Sequence, residues 1–189
     1  MPSPIAPAAA GYLVYRAFRS RIPEEACAYV GPFPRLMIAA VSLSLIADLD
    51  TVPGILSGNF ERFHNNFTNS LVFGVAVALG VGGAVWMKQR SGFKRWFAIA
   101  LVSYEMHVLM DFFTFGRGVM LAWPFSPDRL SPPVYLFYGL RWSEGLASPM
   151  HLVTLMTELG FVGFLSFFTY VFSRLRSPRS HGRAKNLMP

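Results

Sequence analysis

A histidine and a carboxylate one helical turn apart are the first residues in this chain that could do chemistry. His107 and Asp111, in HVLMD, are four residues apart, so on a helix both project from the same face. Imidazole suits Zn, Fe or Ni, and carboxylate oxygens also suit Mg and Mn. The surrounding residues are apolar, and an ionisable side chain inside a bilayer costs ~2.5–3.5 kcal/mol on insertion scales. The pair therefore indicates a divalent metal site more strongly than it would in a soluble helix.

A second acidic pair lies earlier in the chain. Asp48 and Asp50, in SLIADLDTVPGIL, follow a short apolar run. Their carboxylates point the same way if the stretch is extended and splay apart if it is helical. Capping of a helix by either aspartate is the alternative, since Asp is a favoured N-cap.

A third polar group stands at the entrance of a hydrophobic segment, in FHNNFTNSLVFG. Its members are His64, Asn65, Asn66, Thr68, Asn69 and Ser70. Either Asn66 or Thr68 could cap the helix that follows. The same side chains could also form the wall of a metal site, with His64 as a ligand.

Other charged residues carry weaker signals. His151 and Glu158 are seven apart and share a helix face, where Glu158 could equally make a hydrogen bond between helices. Glu105 lies about 200° around the helix from His107 and faces elsewhere. Three arginines of the loop that follows, Arg117, Arg129 and Arg141, could steer an anionic group.

The composition shows what kind of protein must position these residues. Of 189 residues, 53% are hydrophobic and 14% charged, whereas a soluble domain carries about a quarter charged residues. The net charge of +7 could indicate a nucleic-acid partner in a soluble protein, but here its distribution indicates membrane topology, so we expect no nucleic acid. The single cysteine, Cys27, excludes an intramolecular disulfide.

Hydrophobic segments predict an all-α polytopic membrane bundle with about four membrane-embedded helices. Residues 68–87, 96–115 and 149–173 are long enough to cross a bilayer, which takes ~20 residues. Residues 36–47 would reach only ~18 Å, against ~30 Å of hydrocarbon. Residues 5–18 predict a further helix, at the interface or packed on the bundle.

Small residues recur every fourth position in the first long segment. One series is Gly74, Ala78 and Gly82, and the other is Ala76, Gly80 and Ala84. This spacing favours close helix packing.

Basic residues predict the orientation. Thirteen of the 17 lie before residue 36, between residues 88 and 95, or after residue 173. If the short run crosses the membrane, all thirteen lie on the cytoplasmic side. We therefore expect one integral domain, residues 1–173, and a basic, disordered cytoplasmic tail, residues 174–189.

Five motifs in order resemble the LexA-regulated, YdjM-type family of predicted inner-membrane metal-dependent hydrolases. They are MPSPIAPAAAG, ADLD, FHNNFTNSL, HVLMDFFTFG and WPFSP, and the resemblance covers roughly residues 1–127. The resemblance implies a bundle with one or two divalent ions, Zn, Mn or Mg. It implies that the ligands are Asp48, Asp50, His64, His107 and Asp111, with Asp48, His64 and Asp111 catalytic.

The chain resembles a divergent member of this family, because it departs from the usual motifs at four positions. Pro7 and Asn69 stand where the family usually has histidines, Asn65 replaces an arginine and Ala47 replaces a proline. An asparagine oxygen is a harder, weaker donor than imidazole, which shifts the preference from Zn toward Mg, Mn or Ca.

These observations leave two main hypotheses. The first is a hydrolase acting on a phosphoester or lipid-like substrate at the external membrane interface, with Thr68, Asn69 or His151 orienting substrate or water. The second is a non-catalytic membrane protein whose degenerate site serves helix packing. A proton or ion transporter is a weaker alternative, because four spans are few and no inverted repeat is visible. The expected partners are the lipid bilayer and an anionic lipid or phosphoester; the oligomeric state stays open.

Overall fold

The computed structural model describes residues 3–22, 29–30, 32–58, 63–140 and 148–176. Cys27, Arg141 and residues 177–189 lie outside the described residues. The helices are α1 (Ile5–Phe18), α2 (Arg35–Leu45), α3 (Val52–Leu56), α4 (Leu71–Gln89), α5 (Phe93–Phe112) and α6 (Met150–Arg176). Short 3₁₀ segments span Arg19–Arg21, Ile46–Thr51 and Phe67–Asn69, and strands β1 (Tyr29–Val30) and β2 (Phe33–Pro34) pair antiparallel.

Among the described residues, three segments are long and apolar enough to cross a membrane: Arg35–Gly54, Leu71–Gln89 and Met150–Val171. The segment 96–115, which the sequence predicts as a span, is not one of these three. The prediction of an all-α membrane bundle is confirmed. The short run beginning near residue 36 gains its length at its C-terminal end. There the chain continues from α2 through the 3₁₀ segment Ile46–Thr51 into α3 without leaving helical geometry. Helix α6 continues three residues beyond the predicted end of the domain, to Arg176.

Helix α5 lies at the centre of the bundle and packs against α1, α2 and α4. It is the most polar of the long helices, since it carries Glu105, His107 and Asp111 in its C-terminal half. Helix α1 also packs against α2 and α6, so the segment predicted at residues 5–18 is part of the bundle. Its side chains Ala6 and Ala10 join Met110 of α5 in one apolar cluster.

Small residues set the distance between helices at two places. Gly74, Ala78 and Gly82 are buried against α5, whereas Ala76, Gly80 and Ala84 are exposed, so only the first series serves packing. Between α1 and α2, Gly11 lies so close to Ser44 and Val41 that an added Cβ would come within 2.7 Å of the Val41 Cα atom. Helix α2 is thereby held against α1 at the level of Ser44.

The loop after α5 folds over one end of the bundle. Val119 and Leu130 exchange backbone hydrogen bonds of 2.9 Å, and Thr114 pairs with Phe137 in a parallel bridge. The N–H of Leu71, the first residue of α4, donates to the carbonyl of Leu121 at 3.2 Å. The loop is thus fastened both to itself and to the start of α4.

Candidate metal centre

The 3₁₀ segment Ile46–Thr51 determines where the acidic pair points. A 3₁₀ helix has three residues per turn, so side chains two positions apart point in different directions. Asp48 turns toward α5 and Asp50 turns toward the 63–66 turn. Both still approach one ring, since Nδ1 of His64 lies 3.0 Å from Asp50 Oδ1 and 3.9 Å from Asp48 Oδ1. Of the two arrangements open at the sequence level, the splayed one is found.

Four side chains from three separate segments converge at the end of α5. His107 Nε2 lies 3.3 Å from Asp48 Oδ1 and 3.3 Å from Asp111 Oδ2. His64 Nε2 lies 3.7 Å from Asp111 Oδ1. One oxygen or nitrogen from each of Asp48, His107 and Asp111 falls within 4.8 Å of the others. This spacing is short enough for a single cation to touch all of them.

The atoms that face one another in this cluster are buried and lack hydrogen bonds. Within the described part of the chain they are Asp48 Oδ1, His64 Nε2, His107 Nε2 and both oxygens of Asp111. His107 is 0% exposed and Asp111 1%. An unsatisfied buried polar atom costs about 1–3 kcal/mol, and native structures contain few of them. Those of Asp48, His107 and Asp111 lie close enough together to fit a divalent cation, and His64 Nε2 stands beside them, 3.7 Å from Asp111 Oδ1.

The far side of each imidazole is fixed by an oxygen acceptor. Nδ1 of His64 donates to Asp50 Oδ1 at 3.0 Å, and Nδ1 of His107 donates to the Ser44 carbonyl at 2.7 Å. With the proton on Nδ1, each Nε2 presents its lone pair to the cluster. Metal-binding histidines are almost always held in this way by a carboxylate or carbonyl.

Asp50 occupies a different position from the other carboxylates. Its Oδ1 accepts from His64, and its Oδ2 accepts from Thr68 Oγ1 at 2.8 Å and from Asn69 Nδ2 at 3.3 Å. The same amide of Asn69 also reaches Asn65 Oδ1 at 3.3 Å. Both oxygens of Asp50 are thus engaged behind His64, and Thr68 and Asn69 hold Asp50 there.

Two arginines of the loop hold the turn that carries His64. Arg117 donates to the His64 carbonyl. Arg129 donates to the Asn65 carbonyl at 2.8 Å and to the side chain of Asn66. Burial, together with the charge of Arg117, lowers the pKa of Arg129. Two guanidinium groups close together are therefore anchored to backbone oxygens next to the cluster.

The field at His64 favours a positive charge. Burial opposes protonation, but the nearby Asp111 carboxylate and the hydrogen bond to Asp50 outweigh it and raise the pKa of His64 to about 9. Without a metal this field favours a second proton, carried on Nε2, so the Nε2 lone pair is available only in the neutral ring. A cation must displace that proton, so its affinity rises with pH up to this pKa.

The remaining predicted residues lie elsewhere. His151 lies in the first turn of α6. Glu158 is buried and accepts from the backbone and hydroxyl of Ser3, so its hydrogen bond runs to the segment before α1. The cap of α4 is Ser70, whose hydroxyl accepts from the Phe73 N–H at 3.2 Å; the prediction of Asn66 or Thr68 as this cap is wrong.

The helices and the buried carboxylate–imidazole cluster define a class: an integral membrane protein with an internal candidate metal centre. The chain belongs to the YdjM inner membrane protein family, which it matches over residues 4–178. It is 36% identical over 106 residues to the inner membrane protein YbcI of Escherichia coli (strain K12). That match covers 53% of this chain and 60% of YbcI, less than two thirds of its length. No solved structure matches the chain.

Proposed function

We propose that this protein is a metal-dependent hydrolase of the inner membrane. It holds one divalent cation between Asp48, His64, His107 and Asp111. The observation that carries the proposal is the convergence of five buried, unpaired oxygen and nitrogen atoms from three segments of the chain. Ion pairs between helices are the alternative, but 3.3 Å and 3.7 Å between imidazole nitrogens and carboxylate oxygens are long for hydrogen bonds and leave room for a cation between them.

The donor set suits the metals expected from the sequence. Imidazole nitrogens suit Zn, and carboxylate oxygens suit Mn and Mg. When bound, such a cation lowers the pKa of a coordinated water and so supplies a nucleophile near neutral pH.

The surroundings of each acidic residue in the cluster indicate its role. Asp111 offers two unpaired oxygens in the most buried position. Asp48 is the most exposed of the four, with 16% of its side chain accessible against 9% for His64. It is the carboxylate best placed to take a proton from an incoming water and return it to solvent. Asp50 holds His64 in position rather than contacting the cation.

The substrate is an ester or phosphoester at the membrane surface. Arg117 and Arg129 place positive charge beside the turn that carries His64 and could attract an anionic head group. Lys94 and Arg95 start α5, whereas His107 and Asp111 lie 12 to 17 residues further along it, roughly 18–26 Å away. If the basic end is cytoplasmic, the cluster faces the external side and the C-terminus is cytoplasmic. A reporter fused after Arg90 tests this orientation, and an external signal would contradict it.

The first experiment is metal analysis of the purified protein by elemental mass spectrometry. We expect near-stoichiometric metal, lost in Asp111→Ala and kept in Asp128→Ala, whose carboxylate is exposed and hydrogen-bonded to Ser126. The metal found then determines the conditions for a screen of ester and phosphoester hydrolysis. Absence of metal after reconstitution with Zn, Mn and Mg would favour the non-catalytic alternative. Stoichiometric metal without any hydrolysis would contradict the enzymatic part alone.

A further inference from the structure

An apolar groove of about 480 Å³ lies beside the candidate metal centre. Its walls come from the 3₁₀ segment Ile46–Thr51, the start of α3, the residues before α4, and the facing sides of α4 and α5. The apolar lining includes Ile46, Leu49, Pro53, Phe67, Phe73 and Val77. This volume lies within the range of about 300–1,000 Å³ that ligand pockets occupy.

The polar residues of the groove belong to the wall of the metal cluster. Asp50, Thr68 and Tyr104 line the groove and are linked to one another. Thr68 Oγ1 donates to Asp50 Oδ2 at 2.8 Å, and the Tyr104 hydroxyl donates to the Thr68 carbonyl at 2.7 Å. Since the other oxygen of Asp50 holds His64, one carboxylate separates the groove from the cluster. A molecule in the groove therefore lies next to the site.

The rim of the groove continues into the surface that faces lipid. Leu49 is 59% exposed and Phe67 46%, and both line the groove. Leu49 belongs to the membrane-spanning segment Arg35–Gly54, and the neighbouring wall residues Phe73 and Val77 belong to Leu71–Gln89. These residues lie near the ends of the two segments, where the hydrocarbon core meets the head-group region. An apolar groove continuous with this surface is accessible to a lipid chain without any passage through water.

We propose that this groove binds an acyl chain of a membrane lipid, and that such a lipid is the substrate class of the site. The substrate part rests on the proposed hydrolase function, whereas acyl-chain binding does not depend on it. With the chain in the groove, the head-group end lies toward Asp50 and the cluster. Hydrolysis there adds one water to an ester: the water oxygen bonds to the acyl or phosphoryl centre, and the bond from that centre to the leaving oxygen breaks. One proton of the water goes to the leaving oxygen, and the other stays with the acid that forms.

The test uses the full-length protein in phosphatidylethanolamine–phosphatidylglycerol vesicles. A minor fraction of the phosphatidylglycerol carries a photoreactive diazirine in one acyl chain. After illumination, mass spectrometry of peptides maps the labelled residues. We expect labelling concentrated on residues 46–53 and 67–77, and reduced several-fold by Val77→Phe, which fills the groove from α4.

Val75→Phe is the matched control, because Val75 is on the same helix, exposed and outside the groove lining. It should leave the groove labelling unchanged. Leu49→Trp fills the groove from the opposite wall through an exposed side chain, and it serves if Val77→Phe does not fold. Labelling spread evenly over the lipid-facing helices, or equally affected by Val75→Phe, would overturn the proposal.

Metal content measured on the same samples separates the two proposals. Val77→Phe should keep its metal, since Val77 lies on α4, which carries no cluster residue. Leu49→Trp is used for the labelling pattern alone, because Leu49 stands between Asp48 and Asp50. Concentrated labelling in a protein without metal would support the acyl-chain site and contradict the hydrolase function. Stoichiometric metal with evenly spread labelling would contradict the acyl-chain site and support the metal-dependent function.

Discussion

Two faces of α5 each bury a carboxylate, and they differ in what meets it. Asp111 lies 3.7 Å from His64 and 3.3 Å from His107, and His107 in turn lies 3.3 Å from Asp48. Glu105 faces α4, where its Oε1 would lie 2.0 Å from a Cβ added at Gly74. The oxygens of both carboxylates lack hydrogen bonds in the described part of the structure. The surroundings, rather than the lack of partners, distinguish the two faces.

The comparison teaches how an unpaired buried group should be interpreted. A lone carboxyl pressed against a glycine has no second metal ligand beside it among the described residues. The Asp111 face gathers two imidazoles with their outer nitrogens already occupied. Convergence of complementary donors indicates a site, whereas isolation indicates packing that the membrane tolerates at some cost.

The largest expected effect separates the two faces directly. His107→Ala should remove the bound metal almost completely, because it deletes one of four donors and leaves Asp48 and Asp111 to repel each other. Glu105→Gln should leave the metal content unchanged. Elemental analysis of both purified variants measures this, and equal loss in the two would show that the faces act as one unit.

The next effect distinguishes a ligand from its support. Asp50→Ala should weaken metal binding by about 10–100-fold, as loss of a histidine-positioning carboxylate typically does. Asp48→Ala should weaken it further, since it removes a donor. Competition with a chelator of known affinity gives both dissociation constants. If Asp50→Ala is as severe as Asp48→Ala, then Asp50 is a ligand, as the sequence predicts.

A third prediction concerns the close glycine contacts near each carboxylate. Gly11→Ala should cost about 1–3 kcal/mol of stability, because its Cβ meets backbone atoms of α2 next to Ser44, which holds His107. Gly74→Ala should cost less, since the flexible end of Glu105 can move aside. Thermal unfolding in detergent compares them, with Gly80→Ala, which faces open space, as the reference. A larger loss of stability in Gly74→Ala than in Gly11→Ala would contradict the inference that the contact at Gly11 is the tighter of the two.

The smallest effect is expected at the loop. Arg117→Gln removes one contact to the His64 carbonyl while Arg129 still holds Asn65. Metal affinity should fall by less than about tenfold, since Arg117 acts on the backbone of the turn rather than on a ligand atom and Arg129 still holds the neighbouring residue. Chelator competition on this variant measures the effect. Undiminished affinity in an Arg117→Gln/Arg129→Gln double variant would show that the loop does not support the site.

Much of the fold is predictable from hydrophobic runs, because the membrane demands long apolar helices. The family resemblance and the membrane bundle are confirmed. The extension of the short run to Gly54 was not predictable, since DLDTVPG interrupts the apolar pattern with residues typical of turns. The four-residue spacing is present in two series of small residues on α4. The sequence could not show which series is buried, because that depends on where α5 packs.

The site was less predictable than the fold. The types and spacing of His107 and Asp111 indicated chemistry, and their role as ligands stays a prediction. The direction of Asp48 and Asp50 depended on whether the stretch was extended or helical, which a proline and glycine nearby left open. The Ser44 carbonyl could not be found from the sequence, because a backbone acceptor has no residue-type signal. The contacts of Arg117 and Arg129 with the 64–66 turn depend on a long irregular loop, whose path no local pattern predicts.

The position of the acidic pair also bears on how the chain enters the membrane. Asp48 and Asp50 belong to the membrane-spanning segment Arg35–Gly54, whereas His107 follows more than fifty residues later. During synthesis this segment therefore reaches the insertion machinery with two carboxylates and without the imidazoles that later surround them. Each carboxylate can cost up to ~2.5–3.5 kcal/mol near the middle of a bilayer. The first segment therefore acquires its partner for Asp48 only when α5 packs against it and brings His107 to 3.3 Å.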